Sequence, residues 1–249
     1  MSDRLIEQLR QLKLTQLSQA LEQQRQQPNT YHELSFEERL ELLLAHELLG
    51  RENNRIQRLR KQAKFRLNAP PEELNYTLQR GLSKAQGAEL FSGLYLRQQQ
   101  NILITGATGC GKTYLACALG EQACRSQIGV RYYRLGRLLD ELHSARLDGS
   151  YNRLMGRLNK TPLLILDDWG LEALSQEQAK ELLEVMEDRY QVSSTIIASQ
   201  VPVANWHSLI NNPTIADALL DRLVHNGHKI ELKGESLRKS PLTQPDHTG

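Results

Sequence analysis

The chain reads as an α/β protein built on a parallel sheet, and three observations predict it. From residue 101 onward, short apolar runs of strand length alternate with helical stretches, as they do when a parallel sheet carries helices on both faces. Gly106-Ala107-Thr108-Gly109-Cys110-Gly111-Lys112-Thr113 has the spacing G-x-x-x-x-G-K-[ST] and lies between such a run and a helix. A second apolar run, Leu163-Leu164-Ile165-Leu166, ends in the paired carboxylates Asp167-Asp168. The 249 residues are enough for such a domain plus a small appendage.

Taken in order, residues 3–27 carry Leu5, Leu9, Leu12, Leu17 and Leu21 at approximate helical spacing, with glutamine-rich intervals for the solvent side. Pro28-Asn29 ends that unit. Ser35-Phe36-Glu37-Glu38 is a capping box. Acidic residues follow it and basic ones lie beyond Gly50, the polarity a helix dipole prefers at its two ends. One long helix or two consecutive ones are expected over 36–66. Pro70-Pro71 breaks the pattern, and 72–100 read as a mostly helical connector. The predicted strands are 101–105, 130–134, 163–167, 195–199 and 229–232. Ser175 with Gln178 opens a helix expected to run to about Gln191, and Thr214 with Asp217 opens another. The expected division is a small all-α N-terminal domain over 1–67, the α/β core over 68–239, and a disordered tail over 240–249, too poor in apolar residues to pack.

A net charge of +2 does not advertise a nucleic-acid partner, so the argument rests on where the charges lie. Arg51, Arg55, Arg58, Arg60, Lys61, Lys64 and Arg66 are interrupted only by Glu52, whereas Glu172, Glu177, Glu181, Glu184, Glu187 and Asp188 make a later helix acidic. Taken alone, the basic cluster is more simply a solvated helix face. A second basic region holds Arg131, Tyr132, Tyr133, Arg134, Arg137, Arg146, Arg153, Arg157 and Lys160 against Asp140, Glu141 and Asp148. No run of about 18 apolar residues exists and the polar N-terminus lacks a signal-peptide core, so a soluble, cytoplasmic protein with no membrane partner is expected. Cys110, Cys117 and Cys124 recur at seven-residue intervals. A helical rise of about 1.5 Å per residue holds neighbours ~10 Å apart, too far for a disulfide or a shared metal. Cys117 and Cys124 read as small buried hydrophobes, and Cys110, beside Lys112 and a helix N-terminus, as the reactive thiol.

The chemistry follows from the loop. Its glycines let the backbone approach a polyphosphate, Lys112 reaches β- and γ-phosphates, and Thr113 can ligate Mg²⁺, so all eight residues Gly106, Ala107, Thr108, Gly109, Cys110, Gly111, Lys112 and Thr113 are expected to bind nucleotide. Asp167 would complete the magnesium shell and Asp168 would orient the attacking water. In a parallel sheet the polar end of Ser194-Thr195-Ile196-Ile197-Ala198-Ser199-Gln200 lies on the same edge as Asp167, where Gln200 or Ser199 could sense the γ-phosphate. Arg222 is either an arginine finger for a neighbouring subunit or a surface arginine satisfied by Asp221 or Asp217; spacing leaves both open. A small P-loop GTPase would want Asn-Lys-x-Asp after the carboxylate strand. Asn159-Lys160-Thr161-Pro162 precedes that strand and has Pro in the Asp place. A nucleotide switch that does not hydrolyse stays open.

With these motifs, the strand ending at Gln200, Asp221-Arg222-Leu223 and Glu235-Ser236-Leu237-Arg238, residues 101–239 resemble the AAA+ ATPases. More narrowly they resemble the branch that holds helicase loaders of the DnaC type and IstB-like transposition helper ATPases. Leu12-Lys13-Leu14 with its following helix, and Asn53-Asn54-Arg55-Ile56-Gln57-Arg58-Leu59 ahead of Ala63 and Phe65, look like the helpers rather than the loaders. The resemblance implies an AAA+ P-loop core of five strands, ATP and Mg²⁺ bound between subunits of a homo-oligomeric ring or filament, and DNA-stimulated hydrolysis of ATP. It also implies double-stranded DNA and a transposase as partners, with a DnaC-type replicative helicase loader as the alternative. The catalytic residues are then Asp168, Gln200 and Arg222. The insertion after the second strand becomes a DNA surface with Arg134, Arg137 and Arg146, alongside Arg51, Arg55, Arg58, Arg60, Lys61 and Lys64 of the first cluster. With no base-reading motif, contacts go to phosphate and follow DNA shape. Two departures stand out: Asp168 where many AAA+ proteins have Glu, and Gln200 where Asn is commoner. The chain also leaves room for little or no lid, and Arg238 is given no role.

Overall fold

The computed structural model describes residues 2–74, 76 and 81–234. The matches at Glu235 to Arg238 and the tail expected over 240–249 lie outside them. One compact unit ends at Arg58 and a second begins at Leu59, earlier than the boundary expected at 67. The reason is packing: Leu59, Ala63 and Phe65 join the apolar core of the second unit.

The N-terminal unit is helical, with α1 (Ser2–Gln11), α2 (Thr15–Gln26), the single turn α3 (Pro28–Tyr31) and the start of α4 (Phe36–Ala63). The last is one helix, not two. Its capping box is made, since Glu38 N–H donates to Ser35 Oγ at 3.2 Å and Ser35 N–H donates to Glu38 Oε2 at 2.7 Å. Leu17, Ala20 and Leu43 form a small core. Beside it the buried Glu47 accepts Leu17 N–H at 2.9 Å and Arg51 Nε at 2.7 Å.

The second unit is a five-stranded sheet in which every pairing is parallel: β1 (Asn101–Gly106), β2 (Val130–Arg134), β3 (Leu163–Trp169), β4 (Ser194–Ser199) and β5 (Gly227–Leu232), in the order β2-β3-β4-β1-β5. Around it lie α5 (Lys84–Phe91), α6 (Leu94–Arg97), α7 (Lys112–Arg125), α8 (Leu135–Leu147), α9 (Tyr151–Asn159), α10 (Gln176–Arg189) and α11 (Pro213–Val224). Strand periodicity divides the core. Leu103, Leu164 and Leu166 pack with α8 to α11 on one face, while Ile102, Ile104, Leu163 and Ile165 pack with α7 on the other. The helix expected from Thr214 is instead capped by Asn212, whose side chain accepts Ile215 N–H at 3.1 Å with Pro213 at the first turn. The helix from Ser175 has its capping box and ends at Arg189 rather than Gln191.

At the N-terminal edge of the sheet two side chains tie the strands together. Asn101 accepts Thr195 N–H at 2.9 Å and donates to the carbonyls of Arg222 and Leu223 at 3.1 and 3.2 Å. Arg189, only 2% exposed, donates to the carbonyls of Leu158, Thr161 and Ser194 and to Thr195 Oγ1 at 2.6–3.2 Å. The opposite, C-terminal edge is where a parallel sheet presents its ligand crevice.

Candidate nucleotide-binding site

The loop from Gly106 to Thr113 leaves β1 and enters α7. A side chain on Gly106, at φ +145°, would strike the Leu232 carbonyl of β5, and Gly111 takes φ +98° just before α7. Both positions need glycine. The N–H groups of the first turn of α7 are thus free to face an anion. Lys112 is buried, and its Nζ donates to the Ala107 carbonyl at 2.7 Å, across the mouth of the loop.

Two strands bring their expected side chains to this loop. Thr113 Oγ1 donates to Asp167 Oδ2 at 2.8 Å, joining α7 to the end of β3. Thr108 Oγ1 donates to Gln200 Oε1 at 2.7 Å, joining the loop to the end of β4. Ser199, the other candidate there, is spent on structure: its hydroxyl donates to the Trp169 carbonyl at 2.8 Å. A hydroxyl and a carboxylate side by side are the hard oxygen donors that Mg²⁺ takes from a protein when phosphates and water supply the rest. No cluster of three or more His, Cys, Asp or Glu suited to a metal exists among the described residues.

Sequence reasoning missed what surrounds the two carboxylates. Tyr132, placed by composition in a basic surface, is buried and donates to Asp167 Oδ2 at 2.7 Å. Burial and that bond hold its phenol above the ordinary tyrosine value. Arg134 Nε donates to Asp168 Oδ2 at 2.7 Å, and Arg66 NH1 approaches the same oxygen at 3.3 Å and Asp167 at 3.8 Å. Burial alone would weaken the Arg66 charge, but Asp168, Tyr132 and Asp167 outweigh it and its guanidinium ends above the usual value. The strand pairing carried a signal for part of this, since Arg134 lies opposite Asp167 in register. Arg66 carried none. It is delivered by a left-handed turn at Lys64, φ +57°, and by Phe65 seated against Gly120 of α7. Asp168 itself is left-handed at φ +61°, where β3 slips register against β4 between Leu166 and Trp169, an irregularity that re-aims its side chain.

Arg222 stands elsewhere. Its carbonyl is bonded by Asn101 at the start of β1, whereas the phosphate loop leaves the end of that strand, about 16 Å away at ~3.3 Å per residue. It pairs with Asp221 at 3.1 Å and Glu187 at 3.5 Å. It is therefore remote from the loop of its own chain.

Residues 7–244 match the family model described as IstB-like ATP binding protein. The chain belongs to this family. It is 49% identical over 208 residues to an insertion-sequence ATP-binding protein, y4pL, of Sinorhizobium fredii, covering 84% of this chain and 85% of that one. To the ATP-binding protein of insertion sequence IS1162 of Pseudomonas fluorescens it is 47% identical, covering 81% and 87%. Among solved structures a DnaC helicase loader superposes with a TM-score of 0.55 at 19% identity, covering 69% of this chain and all of that one. At that identity the likeness shows the AAA+ fold.

For this IstB-like chain the expected DNA residues divide into two groups. Arg51 is paired with Glu47, Arg60 with Glu121, and Arg134 with Asp168. Arg146 donates to Glu181 and Glu184 and lies 3.9 Å from the Tyr151 ring centroid, fastening α8 and α9 to α10. Arg55, Arg58, Lys61, Lys64 and Arg137 are exposed, and no carboxylate partner of theirs is found among the described residues. The cysteines are all buried and unpaired. Burial pushes the Cys117 thiol to about 11 and that of Cys124 to about 12. Cys110, expected to be reactive, is 4% exposed. No described helix is long and apolar enough to cross a membrane.

Proposed function

We propose that this protein is an ATP-dependent, DNA-binding oligomeric ATPase that remodels target DNA and recruits or stimulates a partner transposase. The observation that carries the nucleotide half is the 2.8 Å bond between Thr113 and Asp167, which unites phosphate loop and carboxylate strand at one edge of the sheet. Lys112 and the N–H groups of α7 hold the β- and γ-phosphates, and Gln200 stands over the loop where it can contact the γ-phosphate. Mg²⁺, held by Thr113 and Asp167, supplies neutralising charge at those phosphates when bound. Asp168 orients the attacking water. Arg222, remote from its own loop, serves the loop of a neighbouring subunit, so that ATP binding assembles the oligomer and hydrolysis releases it.

The insertion-sequence names of the relatives support the transposition reading. The helicase loader is the second reading, favoured only by the likeness of the core. DNA contacts fall to the exposed cations Arg55, Arg58, Lys61, Lys64 and Arg137. Several phosphate contacts give a salt slope of about −0.9 per neutralised phosphate. Charge reversal at Arg55, Arg58 and Lys61 should weaken binding to all duplexes alike, and an unchanged affinity and slope would remove that helix from the DNA surface. Capture of a transposase, and not of a replicative helicase, decides between the two partners.

A further inference from the structure

Two of the hydrogen bonds to the buried Asp167 side chain come from distant parts of the chain. Thr113 Oγ1 of α7 donates to Oδ2 at 2.8 Å, and the Tyr132 hydroxyl of β2 donates to the same oxygen at 2.7 Å. The neighbouring Asp168 N–H donates to Oδ1 at 2.9 Å. Each carboxylate oxygen has room for about two donors, so two hydroxyls fill Oδ2 while Oδ1 keeps an acceptor position. Strand register makes the tyrosine contact possible. Tyr132 pairs with Ile165, two residues short of Asp167, or about 6.6 Å along the sheet at ~3.3 Å per residue. A phenol spans that gap. Its ring lies with Ile165 and Cys117 in the apolar core beside α7, and at 8% exposed its hydroxyl is committed to Asp167.

We propose that Tyr132 is a positioning residue for the metal half of the site: its hydroxyl fixes the rotation of the Asp167 carboxylate, and through it the Thr113 hydroxyl, in the orientation that receives Mg²⁺. The proposal rests on the reading of Thr113 and Asp167 as the magnesium residues. A threonine hydroxyl has one proton and two lone pairs. While Asp167 Oδ2 stands still, that proton goes to it and both Thr113 lone pairs stay free for a cation. The terminal torsion of an aspartate is soft, so a carboxylate gripped from α7 alone could swing and release the threonine proton. Donors from two separate elements remove that freedom before nucleotide arrives. Groups that hydrogen-bond a metal-ligating side chain set metal affinity by about 10-fold to 100-fold, which makes the effect measurable.

The test is metal dependence without turnover. MgCl₂ is titrated into full-length protein in excess over the non-hydrolysable fluorescent analogue mant-AMPPNP, in wild type, Tyr132→Phe, Asp167→Asn and the double variant. Tyr132→Phe should bind the analogue in EDTA as the wild type does, yet raise the Mg²⁺ concentration at half-effect about tenfold or more. In the Asp167→Asn background the same change should add nothing, because the hydroxyl has lost the carboxylate it orients. Equal losses with EDTA and with Mg²⁺ overturn the proposal, since Tyr132 would then be packing alone. An unchanged Mg²⁺ dependence, or the same shift in both backgrounds, overturns it too. A wild type whose affinity ignores Mg²⁺ sinks the reading of Thr113 and Asp167, and the proposal with it. Hydrolysis gives a second readout: excess Mg²⁺ should return Tyr132→Phe most of the way to the wild-type rate, and a deficit that no Mg²⁺ concentration relieves contradicts a positioning role. Tyr132→para-aminophenylalanine, which keeps a donor at the same reach, should restore the Mg²⁺ dependence and serves if the phenylalanine variant does not fold.

Discussion

The two edges of the sheet use the same polar side chains for opposite ends. At the N-terminal edge Arg189 is sealed among three carbonyls and a hydroxyl, with no ion-pair partner among the described residues, and Asn101 donates twice and accepts once through its amide. Burial presses the Arg189 guanidinium down to about 10, and only that set of acceptors keeps it in place. At the C-terminal edge Arg66, Arg134, Thr113, Gln200 and Lys112 are held by a few exchangeable bonds to groups that phosphate, metal or water can replace. A saturated polar cluster fixes the fold; a half-satisfied one at the loop-bearing edge can do chemistry.

The sharpest way to break that contrast is Lys112→Ala. It removes the point charge set against the β- and γ-phosphates, and ATP-dependent assembly on DNA, read by sedimentation, should disappear. Oligomers that still form with ATP would empty the C-terminal edge of its meaning. Next in size, Asp168→Asn should bind ATP and stay assembled on DNA while hydrolysis drops by about 10² or more. Arg189→Met tests the other edge. Orphaning four buried acceptors should cost about 3 kcal/mol in urea unfolding, with ATP affinity of the folded protein unchanged. A loss of ATP affinity without a loss of stability would reverse the roles of the two edges. The smallest effect concerns the thiols. At pH 8 Cys117 and Cys124, at about 11 and about 12, are protonated and stay so until the pH approaches those values, so alkylation by iodoacetamide should be slow, go first to Cys110 and be blocked by ATP. Mass spectrometry of the labelled chain reads the order.

Much of the C-terminal edge was legible, because a phosphate loop and a carboxylate strand are local patterns. Strand 130–134 was predicted with the bounds it has, and the others grew by one or two residues at an end. What escaped was tertiary. The basic runs looked like surfaces, but three-dimensional pairing cancels part of them: the acidic α10 absorbs Arg146 through Glu181 and Glu184, and Arg222 through Glu187. Arg66 could not be moved from a DNA face to the carboxylates without the left-handed turn at Lys64. Tyr132 and Arg134 share one face of β2 by strand periodicity, yet nothing in composition says that β3 lies beside it.

The central claim is that the ATP site is completed by a neighbouring subunit, and mixing two dead variants tests it most directly. Arg222→Ala should bind ATP as a monomer yet lose hydrolysis by a factor on the order of 10³. Combined with Lys112→Ala, which is inactive for a different reason, it should regain measurable ATPase activity, because some interfaces then join an intact loop to an intact arginine. Hetero-oligomers that form without any recovery would contradict a site shared between subunits.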